Sequence, residues 1–464
     1  MKTNSKKKDV KLRTIIGEKL KEIPVNKLSR QSGFCKRKPK KIKPKELVIA
    51  FIQTICVSKK HTYNNWACQL GILINGTVSK QAVSKRITES LVIFLKILLK
   101  TIMEESLKSK IKIELCDKLK QFKRVLIQDS TNIKLDDKLS KDYPGNKNWC
   151  QRDYAVLKIQ STYDIIRRKF LGLEITNFRR NDQSYSSEIL KIAKTGDLVI
   201  RDLGYFVLGV LKKLSNEKIY FISRLRKDVN IYTEEEKPID LASMLKKRGS
   251  LDIEVFAGEK EKLPVRLIAI PVEKEVSEQR RRRAKKDRDR RTNPSKKHLF
   301  LLGWDIFITN VEKQKLQGND IIMLYRIRWR IEMIYKSWKS YLRITNLPER
   351  ANKIRVESFI YSLLIFILLF QVHFYEYYLQ KQKAKNNQTI SLMKLMQYIV
   401  NNIALIIYLS YLGDTAYKNN LLNKQILYYC RYEQRKDRLN YEQLIQKLSC
   451  RLCDSVGVQP PQLF

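Results

Sequence analysis

Apolar positions recur along this chain with two different periods, and the changes between them divide it into regions. Residues 1–45 are dense in Lys, hold few apolar side chains and read as a basic arm. From residue 46 the apolar positions take helical spacing, over 47–56, over 63–72 and, after a turn at Asn75 and Gly76, over 78–99, with Thr77 or Ser79 as cap. Strand-like runs follow at 125–128, 155–163, 170–176 and 198–200. Asp129 comes at the C-terminal end of the first run, before a polar turn; Asp202 lies just beyond the last, ahead of a helical pattern from Gly204 through Leu214. The stretch 219–310 is mainly strand-like (219–226, 252–258, 265–272, 298–310), broken by a short helix at 240–247 and by a charged run, 280–297, that reads as a loop. Helical spacing returns at 324–343 and holds over 355–378, 391–412 and 440–448. This order predicts an α/β fold: a helical region over 46–118, an α/β core in two parts (119–216 and 320–380), a β-rich insertion over 217–319 and a helical C-terminal region over 381–464.

The helix expected over 324–343 organises the rest. At about 100° per residue, Tyr325, Arg328, Glu332 and Lys339 share one stripe about 60° wide. Met323, Ile327, Ile331, Ile334 and Trp338 cluster on the opposite side, as a face for a core. A solvated face with plain i,i+4 pairing of Arg328 and Glu332 would also give such a stripe. Trp329 argues for a binding face, because it sits beside the polar stripe and away from the apolar one. A Tyr, an Arg, a Trp and a Lys around one carboxylate suit phosphates and bases.

Charge sharpens the picture. Lys and Arg number 93 against 47 acids, a net charge of +46. Such a balance fits a polyanionic partner bound in a salt-dependent way, with an anionic membrane surface as the other candidate. No signal peptide is visible at the N-terminus, and the most apolar run, 359–370, is too short to span a bilayer and reads as a buried helix. The expected setting is therefore cytoplasmic and nucleoid-associated, with no membrane partner. The eight cysteines are scattered and read as reduced thiols; Cys450 and Cys453 form a lone CxxC, a weak zinc signal. With only His61, His298 and His373 present, histidine catalysis is not expected.

Two basic segments have a nucleic-acid reading and a plain one. The helix, Gly-containing turn and helix over 63–99 place Lys80, Gln81, Lys85 and Arg86 on the early turns of the second helix, as in a helix-turn-helix, where such residues read base edges. A plain amphipathic bundle would share the pattern. Arg281, Arg282 and Arg283, in the run 280–297, suit phosphate contact without sequence preference, or a solvated tract.

Asp129, Asp202 and Glu332 come from two strand ends and one helix. Each Asp alone is as well explained as a turn or helix cap. Brought together, three carboxylates form an oxygen-rich site suited to Mg²⁺, with ions that serve an in-line phosphoryl displacement. The spacing of Tyr325, Arg328, Glu332 and Lys339 resembles the Tyr-Arg-Glu-Lys signature of bacterial DDE transposases of the insertion sequence four family, and VLIQDST and LVIRDLGYF resemble the segments around that family's two catalytic aspartates. The resemblance covers about residues 70–350. It implies a ribonuclease H-like catalytic core carrying a β-rich insertion. It also implies metal-ligand roles for Asp129, Asp202 and Glu332, with Mg²⁺ as cofactor and Mn²⁺ as its substitute. Tyr325, Arg328 and Lys339 then position the transposon end, Trp329 stacks near the cleaved strand, and Trp304 is similarly placed to a Trp that captures a flipped base, although a Trp in a strand also suits a core. The implied partners are double-stranded DNA, as terminal inverted repeats and target, and a second copy of the chain in the synaptic complex. The implied activity is cleavage at transposon ends and strand transfer, with hairpin ends as one route. A non-catalytic helix-turn-helix protein or an inactive domesticated transposase is the alternative.

Overall fold

The computed structural model describes residues 23–58, 61–108, 117–145, 154–286, 293–348, 352–386, 388–406 and 416–433, together with 443, 444 and 448. It is a mixed α/β protein built on one nine-stranded sheet, in the order β3-β2-β1-β4-β5-β9-β8-β7-β6. The strands are β1 (Val125–Lys134), β2 (Val156–Asp164), β3 (Lys169–Asn177), β4 (Leu198–Arg201), β5 (Tyr220–Arg224), β6 (Ile231–Tyr232), β7 (Leu251–Ala257), β8 (Leu263–Pro271) and β9 (Trp304–Thr309). β1 pairs antiparallel with β2, and β2 with β3, while β4 and β5 run parallel to β1. β9 then returns antiparallel beside β5 and carries β8, β7 and β6.

The strands alternate between two cores because successive side chains face opposite sides of a sheet. Val125, Ile127, Leu198, Ile200 and Ile222 join the larger core with the helices, whereas Leu126, Val199 and Phe221 join the smaller one under the helix Leu208–Asn216. The strand-rich stretch 217–319 is thus continuous with the rest of the sheet through the β4–β5 ladder. β1 is longer than its apolar run suggests. The expected turn after Asp129 is extended backbone, because buried Thr131 and Ile133 alternate with exposed Asn132 and Lys134 and the segment pairs with β2 through Lys134.

Helices α1 (Val25–Gln31), α2 (Pro44–Val57), α3 (Tyr63–Leu73), α4 (Lys80–Ser84) and α5 (Glu89–Lys108) precede the sheet. α1 lies in the expected basic arm, and its Val25 and Leu28, with Ile23 and Ile42, are buried in the larger core; residues 1–22 lie outside the described residues. The single helix expected over 78–99 is two. Ser79 caps α4 by accepting from the Ala82 amide, and the chain breaks before Thr88, whose hydroxyl accepts from the Leu91 amide and starts α5.

α6 (Lys353–Leu369) carries the apolar run read from the sequence, and it is buried: Phe359 through Leu369 are at most 7% exposed. It packs against α5 and α2, so the helices on both sides of the sheet in sequence form one layer. No helix among the described residues is long and apolar enough to cross a membrane. Cys35, Cys56, Cys68 and Cys430 are free thiols; the Cys450–Cys453 pair lies outside the described residues.

His61 belongs to this helical layer. Its ring is 4% exposed and lies 4.5 Å from that of Phe359, and its carbonyl accepts from Arg355 at 2.7 Å. Burial, with Arg355 and Arg343 adding to it, lowers the His61 pKa to about 4. The unfolded chain therefore takes up a proton below about pH 6.5 that the folded chain refuses, and stability falls as the pH drops from about 6.5 to 4. Exchanging His61 for Gln is expected to remove roughly 2 kcal/mol of this acid sensitivity between pH 7.5 and pH 5. Thermal melts of both proteins at pH 7.5 and pH 5 check it; an equal pH 5 loss in both would rule His61 out.

Candidate active site

Parallel pairing of β1 with β4 ends at Gln128 and Arg201. The next residue on each strand is an aspartate, so the topology sets Asp129 and Asp202 side by side where the two neighbours part. Asp129 lies within β1, not at its end; Asp202 caps a turn, Leu203–Tyr205, and accepts from the Gly204 amide at 3.4 Å. The third acid arrives on a helix. The expected helix over 324–343 is a pair, α7 (Gly318–Ile327) and α8 (Trp329–Ser340), joined at Arg328, whose backbone stays helical. At the joint the Ile331 amide reaches Arg328, three residues back, a tighter step than the α ladder. Tyr341 and Arg343 fall beyond it, with Arg343 at φ 48°.

Arg328 is the point on which the acids converge. Its Nη1 donates to Asp129 Oδ2 at 2.8 Å, and its Nη2 donates to Glu332 Oε1 at 2.7 Å and lies 3.7 Å from Asp202 Oδ1. The i,i+4 pair read from the sequence exists, yet it is one arm of a three-acid arrangement. Asp129 is the inner acid, 15% exposed at its side chain, against 41% for Asp202 and 42% for Glu332. Burial pushes the Asp129 carboxyl up to about 7; Arg328 and the Ser130 amide pull it down, while Asp202 and Glu332 add to the rise. No group of three or more His, Cys, Asp or Glu side chains among the described residues closes by itself as a metal cage. What the acids share is a guanidinium.

The other residues of the helix pair surround this centre. The Tyr325 hydroxyl donates to Asp202 Oδ1 at 3.4 Å, and its ring packs on Phe307 between the guanidinium groups of Arg224 and Arg328. Trp329 is 41% exposed, and Lys339 is exposed about two turns beyond Glu332 on α8. Ile327, Ile331, Ile334 and Trp338 are buried as the opposite face, with Met323 half-buried against the same core.

Trp304 is neither core nor free. Partly buried at the start of β9, its ring lies 6.2 Å from Phe300 and lines a cavity of about 630 Å³ whose wall includes Leu203 and Gly204, next to Asp202. Arg224, Arg226, Arg280 and Lys297 give that wall its charge. The arginine run is not the loop expected. A helix, Lys274–Lys285, carries it, with 287–292 outside the described residues and a second helix, Lys296–Leu301, beyond. Glu278 pairs with Arg282 one turn on, and Arg280 is tied to Asp305, which lets so charged a segment stay helical. Arg281 is taken up in holding the Leu299 carbonyl, while Arg282 and Arg283 are exposed.

Of the helix-turn-helix candidates, Lys80 and Gln81 are exposed on α4, whereas Lys85 and Arg86 fall in the break after it. The last two line a cavity of about 390 Å³ with Lys36, Arg37, Lys38 and Lys43. Those four lie in the segment 1–45 read as a basic arm, where no individual residue is singled out. Sequence reasoning missed Asp182, Lys158 and Gln160, which stand behind the two aspartates; a lone Asp in a turn carries no signal in one sequence.

The chain is similar to known proteins over most of its length. Residues 120–369 match the family described as "Transposase DDE domain". The chain is 29% identical over 366 residues to the transposase for insertion sequence element IS231B of Bacillus thuringiensis subsp. berliner, covering 74% of this chain and 76% of that one. It is 28% identical over 363 residues to the transposase of IS231E from subsp. finitimus, covering 74% and 75%, and 26% identical over 379 residues to that of IS1151 from Clostridium perfringens, covering 74% and 76%. The matched segment runs from just before β1 to the last residue of α6 and so contains all three acids and the guanidinium between them: the chain belongs to the DDE-domain transposase family.

Proposed function

We propose that this chain cuts DNA at the ends of its insertion element and joins the freed 3′-hydroxyl ends to target DNA. The observation that carries the proposal is the convergence of Asp129, Asp202 and Glu332 on Arg328 from three separate elements. The order β3-β2-β1-β4-β5, with β1, β4 and β5 parallel, supports a ribonuclease H-like core, the rest of the sheet being its insertion. An all-oxygen donor set gathered round one positive group suits a hard dication. Asp129, Asp202 and Glu332 would hold Mg²⁺, or Mn²⁺ in its place, and the chemistry such an ion supplies is charge neutralisation in an in-line phosphoryl displacement.

The chain's own groups do the remaining work. Arg328, relieved of some of its carboxylate contacts, and exposed Lys339 offset phosphate charge approaching three acids. Tyr325 holds Asp202 through its hydroxyl. Trp329 offers a face on which a base of the cleaved strand stacks, and the Trp304 cavity takes an unpaired base beside Asp202. Lys80, Gln81, Lys85 and Arg86, in the helical region 46–118, contact the terminal repeat, and Arg282 and Arg283 contact phosphates. Two copies bring two ends together.

The test is a cleavage and strand-transfer assay on DNA carrying the element's ends, with Mg²⁺, with Mn²⁺ and with chelator. Metal-dependent cuts at the repeat boundary and joined products are expected, and denaturing gels read hairpin against open ends directly. DNA bound but uncut under every metal condition would reduce the chain to a binding protein.

A further inference from the structure

Behind the two aspartates lies a polar layer that the proposed chemistry does not use; Lys158 and Gln160 in it are buried, and Asp182, 29% exposed at its side chain, is its hub. Asp182 Oδ1 accepts from Ser130 Oγ at 3.0 Å, Lys158 Nζ at 3.0 Å and Gln160 Nε2 at 3.3 Å. Ser130 follows Asp129, and its amide donates to Asp129 Oδ1 at 2.7 Å. Gln160 in turn accepts from the Tyr205 hydroxyl at 2.5 Å, and Tyr205 ends the turn that Asp202 begins. One carboxylate oxygen is thus linked to the neighbours of both aspartates. The other lies against the Asp202 turn: a Cβ on Gly204 would lie 3.2 Å from Asp182 Oδ2 and 3.7 Å from Asp202 Oδ2. Glycine at 204 leaves the two carboxylates room to flank the turn. Lys158, only 4% exposed, supplies the counter-charge.

We propose that Asp182 is a positioning residue, which holds Asp129 and Asp202 at a fixed separation by tying Ser130 on β1 to the Asp202 turn through Gln160 and Tyr205. A buried ammonium explains why some acid is present. It does not explain why that acid also grips Ser130 and Gln160 and abuts Gly204. Groups that hold catalytic carboxylates in place typically matter about 10- to 100-fold for metal affinity or rate.

This inference rests on the cleavage activity proposed above, so the full-length wild type is run alongside Asp182→Asn, the pair Asp182→Asn with Lys158→Met, and Gly204→Ala. Four quantities are measured: affinity for end DNA, the cleavage rate at saturating DNA, the melting temperature, and the Mn²⁺ concentration that half-saturates thermal stabilisation of the DNA-free protein. Asp182→Asn is expected to cut about 10- to 100-fold more slowly and to need more Mn²⁺, with DNA affinity unchanged. The paired variant should regain the melting temperature, since no buried charge is left alone, while its rate stays low. Gly204→Ala, which leaves Lys158 and Asp182 intact but crowds both carboxylates, should be slow as well. Recovery of both melting temperature and rate in the pair would overturn the proposal, reducing Asp182 to the partner of Lys158. Full rates in Asp182→Asn and Gly204→Ala would overturn it too. A wild type that cuts nothing overturns the enzyme assignment along with this inference, whereas a normal wild type with full-rate variants overturns the inference alone.

Discussion

Exchange of Asp129 for Asn, or of Glu332 for Gln, is expected to lower cleavage of element-end DNA by about a thousandfold or more, because each removes a charged oxygen from the set proposed to hold the cation that would neutralise the phosphate, several kcal/mol of barrier. Both replacements preserve shape. Glu332→Gln keeps a carbonyl oxygen for Arg328, and Asp129→Asn keeps one for either Arg328 or the Ser130 amide. Binding of end DNA, which draws on a surface carrying +46 in total, should hold within a few-fold. Gel-shift and cleavage assays on the same preparations check the two halves together. Equal cutting by variant and wild type would exclude the mechanism.

Replacing Arg328 by Met should have the largest effect on the fold of the site. Arg328 is 14% exposed and bridges three acids of which only Asp129 is well buried, so its loss strands one inner carboxylate and leaves two that water can screen. The expected cost is about 2–3 kcal/mol, below the usual value for breaking a fully buried pair. A dication held by these three acids, as proposed above, would compete with the guanidinium for the same oxygens. Ca²⁺ should therefore raise the melting temperature of Arg328→Met more than that of the wild type, and Arg328→Lys, which keeps the charge but not the fork, should fall between. Equal Ca²⁺ shifts in all three proteins would show that Arg328 and the ion do not compete.

The helix pair shows how much was legible in the sequence. The stripe of Tyr325, Arg328 and Glu332 was readable because helical spacing is periodic and the opposite face, from Ile327 to Trp338, is uniformly apolar. The joint at Arg328 was not, because its backbone stays helical and a tight step needs no breaker residue. Asp129 was placed in the right neighbourhood for a partly wrong reason. Its DSTN surroundings look like a turn by composition, and only pairing with β2 keeps them extended. The run 280–297 failed in the opposite way: charge suggested a loop, while Glu278 and Asp305 supply the partners that keep its first part helical. Asp182 was beyond reach, since its meaning lies in Ser130, Lys158 and Gln160, which sit on two other strands.

The continuity of the sheet has a mechanical consequence. Trp304 opens β9, β9 is laddered to β5, and β5 lies beside the strand that delivers Asp202. Tryptophan and acid therefore ride on one stiff plate and cannot approach each other by a swing of the insertion. Whatever bending is needed to bring a base to one and its phosphate to the other must be done by the DNA.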